Sequence, residues 1–226
     1  MSFGLPAGLP LWTIRNDESE GSRMGELVVT EFVTLDGVAQ APGGPDEDRD
    51  GGFPHGGWQA PMIDAGSTAA VFEAARRMDA LLLGRRTYDI FAGYWPSAPA
   101  ESPFTGLLNR VPKYVASRTL REPLPWSPTT VLAGELAEQV AELKRRHRRV
   151  HVIGSLQLAQ SLLRHRLVDR LELWLHPIAL GSGKRLFGDG TVPTSFRLRE
   201  STAHAGGAVE LVYERTGTPT YGTVGA

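Results

Sequence analysis

A chain of 226 residues with 24 basic and 25 acidic side chains, a formal net charge of -1 and 41% hydrophobic content is long enough for one domain with a sizeable core. With no cysteine, disulfides, thiolate metal sites, iron–sulfur clusters and cysteine nucleophiles are excluded, so redox chemistry would need a borrowed cofactor. The balanced charge argues against a dedicated nucleic-acid binder, and no run approaches the roughly 20 apolar residues that span a bilayer, so a cytoplasmic protein is expected.

Residues 1–23 are rich in Gly, Pro, Ser and charge and show no period, so a disordered or over-long N-terminal tail is expected, with Met24 a natural first residue. The apolar stretch Leu9 to Ile14 has no basic region before it and contains Pro10, unlike a signal peptide. Residues 216–226 read as a flexible C-terminal tail, which leaves one compact domain over residues 24–215.

Within that domain Glu26 to Thr34 reads as a strand, and the Gly- and Pro-rich run Leu35 to Pro61 as a long loop of the kind that forms functional lids. A helix follows at Ser67 to Met78 with Ser67 as its N-cap, then a buried strand at Ala80 to Leu83, a short helix after Arg86, a proline-broken connection and a strand at Lys113 to Ala116. Helix Leu136 to Arg146, strand Val150 to Ile153, helix Leu156 to His165 and strand Arg170 to His176 continue the alternation. Two late strands lie near Ser195 to Thr202 and Ala208 to Glu214. Such alternation predicts an α/β fold with a mixed, mostly parallel central sheet, helices on both faces and an antiparallel C-terminal edge. The apolar late strands and Trp174 suggest a homodimer.

Four motifs imitate chemistry without completing it. Asp46, Asp48, Asp50 and Gly51 start like a calcium loop, but the twelfth position is Gly57, and Pro45 and Pro54 preclude flanking helices. Gly181-Ser182-Gly183-Lys184 lacks the rest of a phosphate loop and reads as a glycine turn. The basic run Lys144 to Arg149 reads as a solvated helix end, and His147 and His151 fall on different elements, so their side chains should diverge.

Three buried strands end in small, hydroxylated or basic residues: Leu83-Gly84-Arg85-Arg86-Thr87-Tyr88, Ala116-Ser117-Arg118 and Ile153-Gly154-Ser155-Leu156-Gln157. Ligands of open α/β sheets gather at such carboxyl ends, where helix N-termini present unpaired N–H groups. Gly84 and Gly154 admit close approach, Thr87 and Ser155 can donate hydroxyl hydrogens, and Arg85, Arg86 and Arg118 can grip a phosphate in bidentate fashion, so a phosphorylated nucleotide is expected.

Gly84-Arg85-Arg86-Thr87-Tyr88 after Leu81 to Leu83, Asp36-Gly37 after the first strand and Ile153-Gly154-Ser155 after a later one resemble dihydrofolate reductase. The stretch Leu167 to Leu171, followed by Pro177 and Leu180-Gly181-Ser182-Gly183, is similar to the reductase domain of the bifunctional riboflavin-biosynthesis deaminase-reductase; the two families share one fold. Tyr94-Trp95-Pro96 resembles small bacterial members of the same superfamily. The missing cysteines exclude a deaminase half with a thiolate zinc site, so the resemblance is to a stand-alone reductase module.

The resemblance implies NADPH as hydride donor to a small planar heterocycle or carbonyl compound, pterin-like or 5-amino-6-(5-phosphoribosylamino)uracil-like. Arg85, Arg86, Ser117 and Arg118 would hold the adenosine 2'-phosphate, and Gly84, Thr87 and the turn Ile153, Gly154, Ser155, Leu156, Gln157 the pyrophosphate. Asp36, Gly37 and the following loop would border the nicotinamide, and Trp58 and Trp95 the substrate. The sequence departs from both families at the substrate: Gly66 to Ala70 contains no acid, which leaves Asp64 as a weak catalytic candidate and water as proton source, and Ile153 stands where the riboflavin reductase has Glu. A non-catalytic NADPH-binding sensor of the same fold, or a protein whose three turns are only structural, are the alternatives.

Overall fold

The computed structural model describes residues 24–225, so the expectation for the N-terminal tail lies outside the described residues. Thirteen main elements follow one another. They are β1 Glu26–Thr34, α1 Ala65–Ala75, β2 Ala80–Gly84, α2 Arg85–Tyr94, α3 Pro103–Arg110, β3 Lys113–Ala116 and β4 Thr129–Leu132, then α4 Leu136–Arg146, β5 Arg149–Ile153, α5 Leu156–Arg164, β6 Arg170–His176, β7 Ser195–Ala203 and β8 Val209–Gly217. The strands form one eight-stranded sheet in the order β4-β3-β2-β5-β1-β6-β8-β7. β4 to β6 are parallel, and β8 and β7 add the antiparallel edge.

Strand alternation assigns the two layers. Leu27 and Val29 of β1, Leu82 of β2 and Val150 and Val152 of β5 face α4 and α5, where Val140, Leu143, Leu158 and Leu162 complete a buried cluster. The intervening Leu81, Leu83 and Val115 point the other way, onto Ala75 of α1, Tyr88 of α2, Leu107 and Leu108 of α3 and Trp126. A strand covered on both sides reads as an unbroken apolar run, which is why Ala80 to Leu83 carries no polar residue. Leu82 is fully buried, so Leu82→Ala should cost about 2–5 kcal/mol.

Four expectations need correction. α1 is capped by Asp64, whose carboxylate accepts from the Ser67 N–H while the Ser67 hydroxyl accepts from the Asp64 N–H, so Ser67 is the third helical residue of a reciprocal capping box. The proline-broken connection contains α3, with Pro103 as its first residue, and the stretch between β3 and α4 holds the short edge strand β4. β8 runs through Gly217, two residues into the expected tail. Trp174 is a core residue, only 1% exposed, and β7 is mostly exposed with Arg197, Arg199 and Glu200 among its nine residues, so the late strands are not uniformly apolar.

The long loop after β1 is ordered by its own small core of Val38, Ala41, Phe53 and Trp58 and by hydrogen bonds across the chain. The Gln40 side chain donates to the carbonyls of Asp48 and Asp50 and accepts from the Lys184 N–H.

Candidate active site

A cleft of about 1130 Å³ crosses the carboxyl edge of the sheet, where β1, β2, β3 and β5 end. That exceeds the ~300–1000 Å³ of a pocket for one small ligand, and the lining divides by layer. On the α1–α3 side the walls are Val71, Ala75, Phe91, Trp95, Phe104 and Leu108, apolar and largely aromatic. Beside Leu136 of α4 and Leu158 of α5 the lining carries polar and basic groups: Arg85, Ser117, Arg118, Thr119, Gln139 and Ser161.

Two uncapped helix starts open into the cleft. α2 begins at Gly84 and α5 at Ser155, and neither N-cap side chain bonds its own helix, so the first-turn N–H groups are left for a ligand. The two turns are joined, because the Gly84 N–H donates to Ser155 Oγ at 2.9 Å. Gly154 and Ser155 both have φ of 62°, the left-handed region. A serine held there stores backbone strain, a feature that concentrates at binding sites. A first side-chain carbon at Gly84 would lie 3.5 Å from Ser155 and fill the gap between the turns.

Beside them the Arg85 guanidinium donates to Thr119 Oγ1 at 2.8 Å, and Ser117 Oγ accepts from the N–H groups of Thr119 and Leu120. Arg118 lines the same end and has no carboxylate partner among the described residues. Gly84, Arg85, Arg86, Thr87, Ser117, Arg118 and Ile153 to Gln157 thus share one cleft, with Trp95 in its apolar half. Thr119, Phe91 and Phe104 complete it and were not singled out by the sequence; Thr119 had a signal, as the next hydroxyl after Ser117-Arg118.

Other expected site residues lie elsewhere. Arg86 lines the cleft but turns away from the basic cluster to Asp50 at 2.9 Å and Asp48 at 3.5 Å, which Lys184 also pairs at 2.9 and 2.7 Å. Asp36 accepts from the Thr34 hydroxyl, Leu180 N–H and Gly181 N–H, contacts that hold its carboxyl down at about 2, and neither it nor Gly37 lines the cleft. Residues Ala39 to Gly43 line it instead. Trp58 is buried, donates its indole N–H to the Gln40 carbonyl and packs edge-on to His176 at 5.3 Å, so it is core rather than cleft wall. Asp64 is spent on Ser67 and on the Gly206 N–H at 2.8 Å, lies off the cleft, and is held below the usual carboxylate range by those bonds. Its carboxylate is thus engaged by the helix cap and the Gly206 turn.

The remaining motifs resolve as structure. The Gly181 turn is bound by Asp36, and within the basic run Lys144 pairs with Asp169, Arg145 and Arg146 with Glu142, and Arg149 with Glu26. His147 bonds the Tyr114 hydroxyl at 2.9 Å, whereas His151 is fully buried beneath the cleft. Two buried acids of β1 and β6 carried no expectation. Glu172 accepts from the Thr30 hydroxyl at 3.2 Å, but Glu31, 2% exposed, lines the cleft with its Oε1 unpartnered, and burial raises its carboxyl to about 8.

An α/β sheet of this order, with a ligand cleft at its carboxyl edge fed by two helix N-termini, defines a protein of the dihydrofolate-reductase-like fold. More narrowly, the chain belongs to the RibD C-terminal domain family, which it matches over residues 26–209. It is 26% identical to the uncharacterized protein YyaP of Bacillus subtilis (strain 168) over 195 residues, 84% of this chain and 95% of that one. Among solved structures it resembles a protein of Shewanella sp. PV-4 assigned to riboflavin biosynthesis, with a TM-score of 0.61 and 23% identity over 84% of this chain and 99% of that one. It also resembles a pyrimidine reductase-like protein of Corynebacterium diphtheriae, with a TM-score of 0.60 and 16% identity over 85% and 92%. The bifunctional deaminase/reductase of Thermotoga maritima gives a TM-score of 0.57 at 15% identity, and there the match takes up 57% of the longer chain.

Proposed function

We propose that this protein is an NADPH-dependent reductase of a small planar heterocycle or carbonyl compound, working in the cytoplasm. The observation that carries the reading is the cluster of Arg85, Ser117, Arg118 and Thr119 in the cleft beside two uncapped helix starts. These groups suit the phosphates of a dinucleotide: the first-turn N–H groups of α2 and α5 would hold the pyrophosphate, and the Gly84 and Gly154 backbones would allow it close. The guanidinium and hydroxyl groups of the cluster would hold the 2'-phosphate, a dianion that NADH lacks. NADPH supplies hydride when bound; the chain binds, orients and shields the reacting centres.

Phe91, Trp95 and Phe104 form a slot for a flat ring. A phosphoribosyl group would need a free cation in that half, and Arg86 and Lys184 are already matched by Asp48 and Asp50. The slot therefore favours a pterin-like ring or quinone over a ribosyl phosphate.

Thermal-shift titration tests the reading directly. NADPH at about 100 times its dissociation constant should stabilise the protein by roughly 2.7 kcal/mol, with NADH giving much less at equal concentration. Arg118→Ala should weaken NADPH about tenfold or more and leave NADH nearly unchanged, since one charge-assisted phosphate contact is worth ~1.5–3 kcal/mol. Equal shifts with both dinucleotides, or none, would refute the assignment.

A further inference from the structure

We propose that Glu31 is the proton donor of the cleft, the group that delivers hydrogen to the carbonyl or imine heteroatom of the substrate reduced there. The inference rests on the reductase reading and supplies the acid that the helix after the loop lacks. β1 gives Thr30, Glu31 and Phe32 to the cleft lining, and the Thr30 carbonyl, one residue before Glu31, accepts from the Gly154 N–H at the turn that opens α5. Glu31 continues the alternation of Leu27 and Val29, whose side chains enter the dry core, so its carboxyl emerges where that core gives way to the cleft. There it is 2% exposed, its Oε1 has no partner, and no ion pair compensates it.

A buried carboxyl with nothing to satisfy it costs stability, and chains keep such groups where a ligand completes them. The other buried acid, Glu172, has the Thr30 hydroxyl and does not line the cleft. The other ionisable groups lining the cleft are Glu47, Asp48 and Lys184 from the loop side, His151 from β5, Arg85, Arg86 and Asp89 from α2, and Arg118 after β3. None contributes to its upward shift to about 8, which burial alone produces, so the side chain is a neutral acid at pH 7. The balance is simple: NADPH is oxidised to NADP⁺ as one hydride reduces the substrate carbon, the Glu31 O–H bond breaks as its proton joins the adjacent N or O, and water restores the acid.

The first measurement needs no ligand. Infrared difference spectra of wild type against Glu31→Gln should show a carboxylic-acid band at pH 7 that gives way to carboxylate as pH rises through about 8; a carboxylate at pH 7 overturns the proposal. Gln is isosteric and neutral, and an unchanged circular dichroism spectrum establishes that the variant is folded. The second follows NADPH oxidation with a panel of pterins, aminopyrimidines and quinones. Glu31→Gln should bind NADPH as wild type does, lose roughly a hundredfold in kcat, and lose the fall in rate above about pH 8. Full activity in Glu31→Gln overturns the donor role alone, whereas failure of wild type to bind NADPH overturns the reductase reading and the donor role with it.

Discussion

At the scale of single residues, what the sequence concealed is where each polar group finds its partner. Asp36, Trp58 and Asp64 were all plausible site residues by type and position. Asp36 is claimed by Leu180 and Gly181 and Asp64 by Gly206, each more than 140 residues away, and such pairings leave no local trace. Glu31 was legible in principle, as an acid at an inward position of a strand, because its alternation with Leu27 and Val29 predicts burial. His151 is the matching case beneath the cleft: fully buried, with neither ring nitrogen partnered. Burial, with the Arg149 charge assisting, holds its pKa down at about 3, so the folded protein keeps it neutral. Between the ordinary pH 6.5 and about 3 the unfolded chain binds the extra proton, and stability contributed by the neutral ring is lost as pH falls through that window. His151→Leu removes two unsatisfied nitrogens and should leave the protein as stable at pH 7 or more stable by about 1 kcal/mol, a rise of ~2–4 °C in Tm. It should also lose less stability than wild type on acidification from pH 6.5 to 4. Parallel pH–Tm curves for the two proteins would contradict this account.

Among the elements, those with strong periodicity were legible to within a residue or two: α4, α5 and β6. The two that were missed share a cause. α3 has eight residues and opens with a proline, a helix breaker in the interior but a favoured first residue, and β4 has four residues with only partial burial. Neither is long enough for a period to rise above its surroundings. What stabilises α3 is a tertiary contact: the buried Lys113 ammonium of β3 donates to the carbonyls of Leu108 and Val111 at 2.9 Å and of Asn109 at 3.2 Å, and lies 4.4 Å from the Trp126 ring centre. This cation satisfies the orphan carbonyls at the helix end and complements its dipole. Lys113→Met keeps the volume and removes the donors, leaving buried carbonyls unsatisfied, and should cost about 2–4 kcal/mol in chemical denaturation. Since Leu108 and Phe104 of α3 wall the apolar half of the cleft, the same variant should weaken binding of flat ligands more than of NADPH. A loss below 0.5 kcal/mol would show that α3 stands without its cap.

For the whole molecule, the decisive feature is that one cleft draws on both layers of the sheet, so the loop after β1 is a wall of the site as well as a connection. Its length was the readable sign of function, and its order comes from charges far apart in sequence. Lys184, in the glycine turn before β7, joins Asp48 and Asp50, and Arg86 at the start of α2 joins the same two carboxylates. Contacts to Lys184 and Arg86 hold the Asp50 carboxyl at about 2, so the network is intact at neutral pH and is lost only as pH falls from about 4 towards 2. Surface pairs contribute little singly, but here two cations share two anions, and the Lys184 backbone N–H is held as well by Gln40. Lys184→Ala should release the loop from the turn without unfolding the sheet, whose core it does not touch. Amide exchange over residues 43–52 should then rise severalfold while that of β1, β2 and β5 is unchanged. The KM for the reduced substrate should rise with little change in that for NADPH, because Asp48 and Gln40 border the cleft whereas Arg118 and Thr119 sit on other elements. Exchange that rises equally in loop and sheet would mean that Lys184 supports the fold as a whole, and unchanged exchange would mean that the small core of Val38, Phe53 and Trp58 holds the loop alone.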